Sequence, residues 1–176
     1  MPSRHSFRRV MTQIVAALVA TAALPAFAQG DFKATVVQHL KTSRDFTLKV
    51  ADQMPEADYG FKLTPPQMSF AQQMVHLSQA MDEFVLPLTG EKPSLAKPAS
   101  MNKKDVMAFV RASYDRTIDR VSKLTPAQLA KTYQTGDGNM TGMDMLMELL
   151  DHTTHHRASS EMYLRAKGIT PTEYQF

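Results

Sequence analysis

Apolar residues recur every three or four positions through four long stretches of this chain, a spacing that predicts amphipathic helices rather than strands. The first stretch runs from about Lys33 to Gln53 and ends before Met54-Pro55. After an irregular segment containing Leu63-Thr64-Pro65-Pro66, Ser69 is placed to cap a second helix with the stripe Phe70, Met74, Leu77, Met81, Phe84, which stops near Pro87. Gly90, Pro93 and Pro98 mark the segment from Leu88 to Met101 as a surface loop. A third helix, from about Asn102 to Lys123, carries Val106, Phe109, Val110, Tyr114, Ile118 and Val121 on one side. Thr125-Pro126-Ala127-Gln128 has the form of a capping box with proline at the first helical position, so a short extra helix is expected there. Gly136-Asp137-Gly138-Asn139 reads as a turn. Thr141 then caps a fourth long helix that reaches about Lys167 and is closed by Gly168, with Pro171 beyond. Strand signal is weak, and there is no internal repeat. The expected class is all-α: a four-helix bundle with short extra helical segments in its loops, whose usual place for a metal or ligand is between facing helices.

The first 28 residues lie outside this pattern. Arg4, Arg8 and Arg9 precede an apolar run from Val10 to Leu24, and Ala26-Phe27-Ala28 follows as an A-x-A cleavage site. That run is shorter than the roughly 20 residues a bilayer core requires. The expectation is a cleaved signal peptide over residues 1–28, one domain over residues 29–176, no stable membrane anchor, and a periplasmic or secreted location. Arg8-Arg9 is a weak twin-arginine match, so the general secretory route is favoured.

Setting the leader aside changes the charge. It removes three of the 20 basic residues and none of the 17 acidic ones, leaving a neutral domain without a basic stripe, so nucleic acid is not an expected partner. The chain has no cysteine, which excludes a disulfide framework, thiolate ligands, a cysteine nucleophile and a lipid-anchored lipoprotein. Chemistry must come from histidine, carboxylates, hydroxyls or a bound metal. Methionine is plentiful, but spacing such as Met74, Leu77, Met81, Phe84 is a helical core stripe, and core packing is favoured over a copper site. A homodimer through an exposed helix face is compatible with the sequence, though no residue demands it.

Histidine is scarce outside the leader: His39, His76, His152, His155 and His156. In Asp151-His152-Thr153-Thr154-His155-His156-Arg157, two imidazoles four residues apart project from one helix face, which is metal-ligand geometry. Alternating steps of four and three place His152 and His156 on a seam with Met145, Leu149, Ser159 and Tyr163. His155 falls on the more polar row of Glu148, Asp151, Ala158 and Met162, and is the second choice. His76, one residue before Leu77 of the second helix's stripe, is the natural third ligand; His39 is expected to be partly exposed. Arg157 has two readings, an anion contact for a cosubstrate or an ion pair with Glu161 one turn on. There is no H-E-x-x-H, so a metalloprotease would lack its general base.

These residues resemble the DinB-like (DinB/YfiT) superfamily of metal-dependent four-helix-bundle proteins over most of residues 29–176. The resemblance is carried by Met54-Pro55-Glu56-Ala57-Asp58-Tyr59-Gly60-Phe61-Lys62, by Met68-Ser69-Phe70 leading to His76, and by His152-Thr153-Thr154-His155-His156-Arg157 with Tyr163-Leu164-Arg165 and Gly168-Ile169-Thr170-Pro171. It implies an up-down-down-up bundle with one divalent ion on His76, His152 and His156, zinc first and nickel, iron or manganese as alternatives. After the arginine this chain has Ala158-Ser159 where many members have Gly-Gln, which bears on helix packing or a supporting hydrogen bond near the site. The resemblance further implies a metal-dependent enzyme on a small molecule, of the thiol-transferase or hydrolase type. The competing expectation is a non-enzymatic periplasmic metal-binding protein. Export argues against thiol transfer, because reduced thiol cofactors are mainly cytosolic.

Overall fold

The computed structural model describes residues 32–92, 97–136 and 138–175. The expected leader, and Pro93 and Asp137 within the two predicted loops, lie outside the described residues.

Five helices and one hairpin make up the described chain. Helix α1 covers residues 32–53, and a 3-10 turn at Glu56–Asp58 follows it. Helix α2, Phe70–Thr89, opens on a reciprocal capping box: the Ser69 hydroxyl accepts from the Gln72 backbone N–H, and the Gln72 side chain accepts from the Ser69 backbone N–H. Pro87 does not stop α2 as expected. It sits in the last turn, and the helix continues to Thr89 before Gly90 closes it at φ 74°. Helix α3, Lys103–Lys123, is capped by Asn102, and the short α4, Pro126–Ala130, by the Thr125 box. The predicted turn at 136–139 joins two strands, β1 Thr132–Thr135 and β2 Gly138–Thr141, paired antiparallel with Tyr133 opposite Met140. Helix α5, Gly142–Ala166, starts from Thr141.

The core lies between the four long helices. Val36, Leu40, Phe46 and Val50 come from α1, Phe70, Met74, Leu77 and Met81 from α2, Val106, Val110, Tyr114 and Val121 from α3, and Met145, Leu149, Tyr163 and Leu164 from α5. Long-range contacts fix the helix directions. Lys33 at the start of α1 donates to the Leu124 carbonyl just past α3, and Lys103 at the start of α3 binds Asp52 at the end of α1, so these two helices run antiparallel. Arg120 near the end of α3 pairs with Asp82 and Glu91 near the end of α2, so α2 and α3 run parallel. Gln73 lies beside Tyr163 and Phe84 beside His152, which makes α5 antiparallel to α2. The order is up, down, down, up.

Two consecutive parallel helices need a long return. The 20-residue α2 is about 30 Å long, and the connection from Gly90 to Asn102 can span that at roughly 3.3 Å per extended residue. Among the described residues no helix is long and apolar enough to cross a membrane.

Candidate metal centre

On α2, the residues that recur at helical spacing on the core side are Phe70, Met74, Leu77 and Met81, all fully buried. His76 is half-buried, at the edge of that face. On α5 the buried stripe is Met145, Leu149, Thr153, Ser160 and Tyr163, with Arg157 on the same side. This differs from the predicted seam: His152, His156 and Ser159 are half-buried, one position off the stripe toward α2. The antiparallel contact of α2 and α5 therefore brings both edges together.

One ligand nitrogen from each of His76, His152 and His156 lies within 4.8 Å of the other two. Ring centroids are 5.1 Å apart for His76 and His152, and 4.5 Å for each of the other pairs. His155 is exposed and packs edge-on against His156 at 4.9 Å, outside the group; His39 is exposed on α1, a helix that contributes no histidine to the group. Three imidazoles from two helices are a suitable donor set for a four-coordinate divalent ion that keeps one open position.

The surroundings of the ring nitrogens fit such an ion. The buried Nδ1 of His152 has no hydrogen-bond partner, an orphan that ordinarily costs stability. At His156 the partner is Gln73, whose Oε1 lies 2.6 Å from Nδ1. The amide orientation follows from its other end: Gln73 Nε2 donates to the Tyr163 hydroxyl at 3.4 Å, and that hydroxyl donates to the Met68 carbonyl at 2.6 Å. Gln73 Oε1 can only accept, so His156 carries its proton on Nδ1 and keeps the lone pair on Nε2. The sequence reading missed Gln73; its signal is a polar residue one turn before His76 on the same flank of α2.

Burial, and then the neighbouring imidazoles His152, His76 and His155, push the His156 pKa down to about 4. Burial and the same kind of neighbour lower that of His152 too, with Glu83 opposing. Both rings are therefore neutral at pH 7, the form that ligates.

A groove of about 420 Å³ opens beside His152, lined by Phe84, Glu148, Asp151, His155 and Ala158 among others. The predicted polar row of α5 is thus its floor. Ala158, where the family pattern has glycine, is exposed on this wall rather than wedged between helices, so its methyl disturbs no packing.

Arg157 departs from the expected ion pair. It is 4 % exposed, donates to Ser43 Oγ at 2.9 Å, and lies over the Phe46 ring at 4.5 Å, turned toward α1 instead of toward Glu161.

Comparison with known proteins gives one consistent likeness. The model describing the DinB superfamily matches residues 39–159. YjoA of Bacillus subtilis is 20 % identical over 139 residues, 77 % of this chain and 90 % of that protein. Among solved structures, a DinB-like protein of Bacillus cereus superposes with a TM-score of 0.70 at 17 % identity, over 80 % of this chain and 95 % of that one. YfiT of Bacillus subtilis, described as "a probable metal-dependent hydrolase with an unusual four-helix bundle topology", has a TM-score of 0.61 at 17 % identity, over 78 % and 89 %.

Proposed function

The chain belongs to the DinB superfamily, and on that footing we propose that it is an exported metal-dependent enzyme acting on a small molecule, hydrolytic in type. His76, His152 and His156 hold one divalent ion, zinc in the first instance. The observation that carries the enzymatic reading is the groove. A protein that only stores an ion needs the three ligands, whereas here an open surface groove of about 420 Å³, within the size range of small-molecule sites, borders one of them, His152. When bound, the ion would supply Lewis acidity and make a water or thiol easier to deprotonate.

The chain's own groups divide the remaining work. Gln73 holds His156 in the ligating tautomer. Phe84 provides an apolar wall, while Glu148, Asp151 and His155 put proton acceptors along the groove. The carboxylates favour a neutral or cationic substrate. A small thiol cosubstrate carrying carboxylates of its own would meet like charge there, which supports hydrolysis over thiol transfer. The hydrolase description of YfiT agrees with this reading, and the leader-like first 28 residues support export.

The test measures metal content of untagged protein from its native compartment, alongside His76→Ala, His152→Ala and His156→Ala, and screens chromogenic esters, amides and phosphoesters with and without a chelator. About one ion per chain, lost in folded variants, with chelator-sensitive turnover, is the expected result. An ion without turnover of any class supports the metal-binding alternative. No ion and no uptake of zinc, nickel, iron or manganese overturns both.

A further inference from the structure

Arg157 is a buried cation with no carboxylate in direct ion-pair contact among the described residues. Arginine stays charged in any protein environment, so desolvating it demands acceptors or an opposite charge. Its guanidinium donates to Ser43 Oγ, and that hydroxyl is already engaged with the Tyr114 hydroxyl at 2.8 Å, itself 3.1 Å from Thr47 Oγ1. The Phe46 ring covers one face of the guanidinium. Its remaining N–H groups find no acceptor among the described residues, and no carboxylate there lies within ion-pair distance.

Those groups face a cavity of about 100 Å³ between α1, α5 and the segment after α5. A water's share of liquid volume is about 30 Å³, so the space suits a group of a few heavy atoms. Its polar lining is Arg157, Ser43, Thr42, Thr154, His39, Tyr174 and Gln175, with no acidic side chain among the described residues. Hydroxyl, amide and guanidinium donors around a half-open pocket, one of them a buried guanidinium, make an oxyanion site.

We propose that this cavity binds a small oxyanion, the carboxylate or phosphate group of a small molecule or the free ion, held by the Arg157 fork with the Thr42 and Thr154 hydroxyls around it. The site is separate from the three histidines. Leu150, Thr154 and Arg157 look toward α1, whereas His152 and His156 look toward α2. Thr154 borders both the cavity and the groove, so an anion here sits across the wall of α5 from a molecule in the groove.

The experiment titrates inorganic phosphate and, separately, acetate into the full protein against chloride at matched ionic strength. It reads the thermal midpoint and the dissociation constant by calorimetry. Wild type is expected to gain stability with at least one of the two anions, and the anion preferred separates phosphate from carboxylate recognition. Arg157→Met, which removes the charge at similar volume, weakens binding at least about tenfold, the usual scale for a charge-assisted pair. Thr42→Leu fills the cavity while keeping Arg157, and abolishes the anion effect even where the arginine variant does not fold. His152→Ala retains it. No anion effect in wild type, an effect undiminished in Thr42→Leu, or an effect lost in His152→Ala overturns the proposal and leaves Arg157 as a buried structural cation.

Discussion

Gln73 decides which nitrogen of His156 is free, and it does so through a chain of donors that starts at a backbone carbonyl. Because the Met68 carbonyl takes the Tyr163 proton, the hydroxyl must accept from Gln73 Nε2, and Oε1 is left for His156. Supporting partners of this kind typically carry 10- to 100-fold in metal affinity, so Gln73→Leu is expected to weaken zinc binding by about that factor in a competitive chelator titration. Gln73→Glu, which keeps an acceptor at Nδ1, should retain binding. Equal affinity in wild type and Gln73→Leu would show that the tautomer is set by the ion alone. The same rings also make the metal-free fold acid-sensitive. His156 titrates near 6.5 when unfolded and near 4 when folded, and His152 shifts the same way. Between those values the unfolded chain binds protons that the folded one refuses, so stability is full above about pH 6.5 and declines as pH falls toward 4. Urea unfolding of chelator-treated protein across that range should show the decline, and His156→Gln should flatten it. At this scale the sequence reading grouped the three histidines that the structure brings together, because an i, i+4 pair fixes a face without tertiary information. It did not reach Gln73 or the direction of Arg157. Helical periodicity gives angle around an axis, whereas the choice between Glu161 on the same helix and Ser43 on α1 is made by side-chain direction and by which helix packs alongside.

The elements were legible where they are long and periodic, and less so where pairing or close approach shapes them. Residues 132–135 and 138–141 carry only Tyr133 and Met140 as large apolar side chains, so the strands flanking the predicted turn left little signal of their own; their backbone pairing makes them. Pro87 looked like a stop because its ring removes one helical hydrogen bond, yet Leu88 beyond it is buried in the core and the Gly90 N–H still bonds the Leu86 carbonyl, so the helix runs on past the lost bond. Gly142 is a different case. It opens α5 directly against α4: a Cβ there would run into the Gln128 carbonyl oxygen and come within 2.9 Å of Leu129 Cα. Alanine has the higher helix propensity by about 1 kcal/mol, but here the clash with backbone outweighs it. Gly142→Ala is expected to cost roughly 1–3 kcal/mol in denaturant unfolding, the usual range for overpacking. Gly60→Ala, where a Cβ meets nothing within 4 Å, should stay within about 0.5 kcal/mol. A neutral Gly142→Ala would mean that α4 moves freely against α5.

At the scale of the molecule, the up-down-down-up order makes α2 and α5 an antiparallel pair, with one of the three clustered histidines on the first and two on the second. Neither helix can bind an ion in this way alone, so ligation is coupled to their packing and a bound ion stabilises the whole bundle. The topology was accessible from the sequence only through family resemblance, since periodicity says nothing about which way a helix runs; in the structure it rests on pairs such as Arg120 with Asp82 and Lys103 with Asp52. At a free-ion concentration 100 times the dissociation constant, linkage adds about 2.7 kcal/mol. For a domain of this size each kcal/mol moves the midpoint by roughly 2–4 °C, so loading should raise it by about 5–11 °C. His76→Ala on α2 and His156→Ala on α5 should abolish the rise equally, although they lie in different helices and leave different cavities. If His76→Ala keeps the rise while His156→Ala loses it, the ion belongs to α5 alone, and the two helices are held by packing without it.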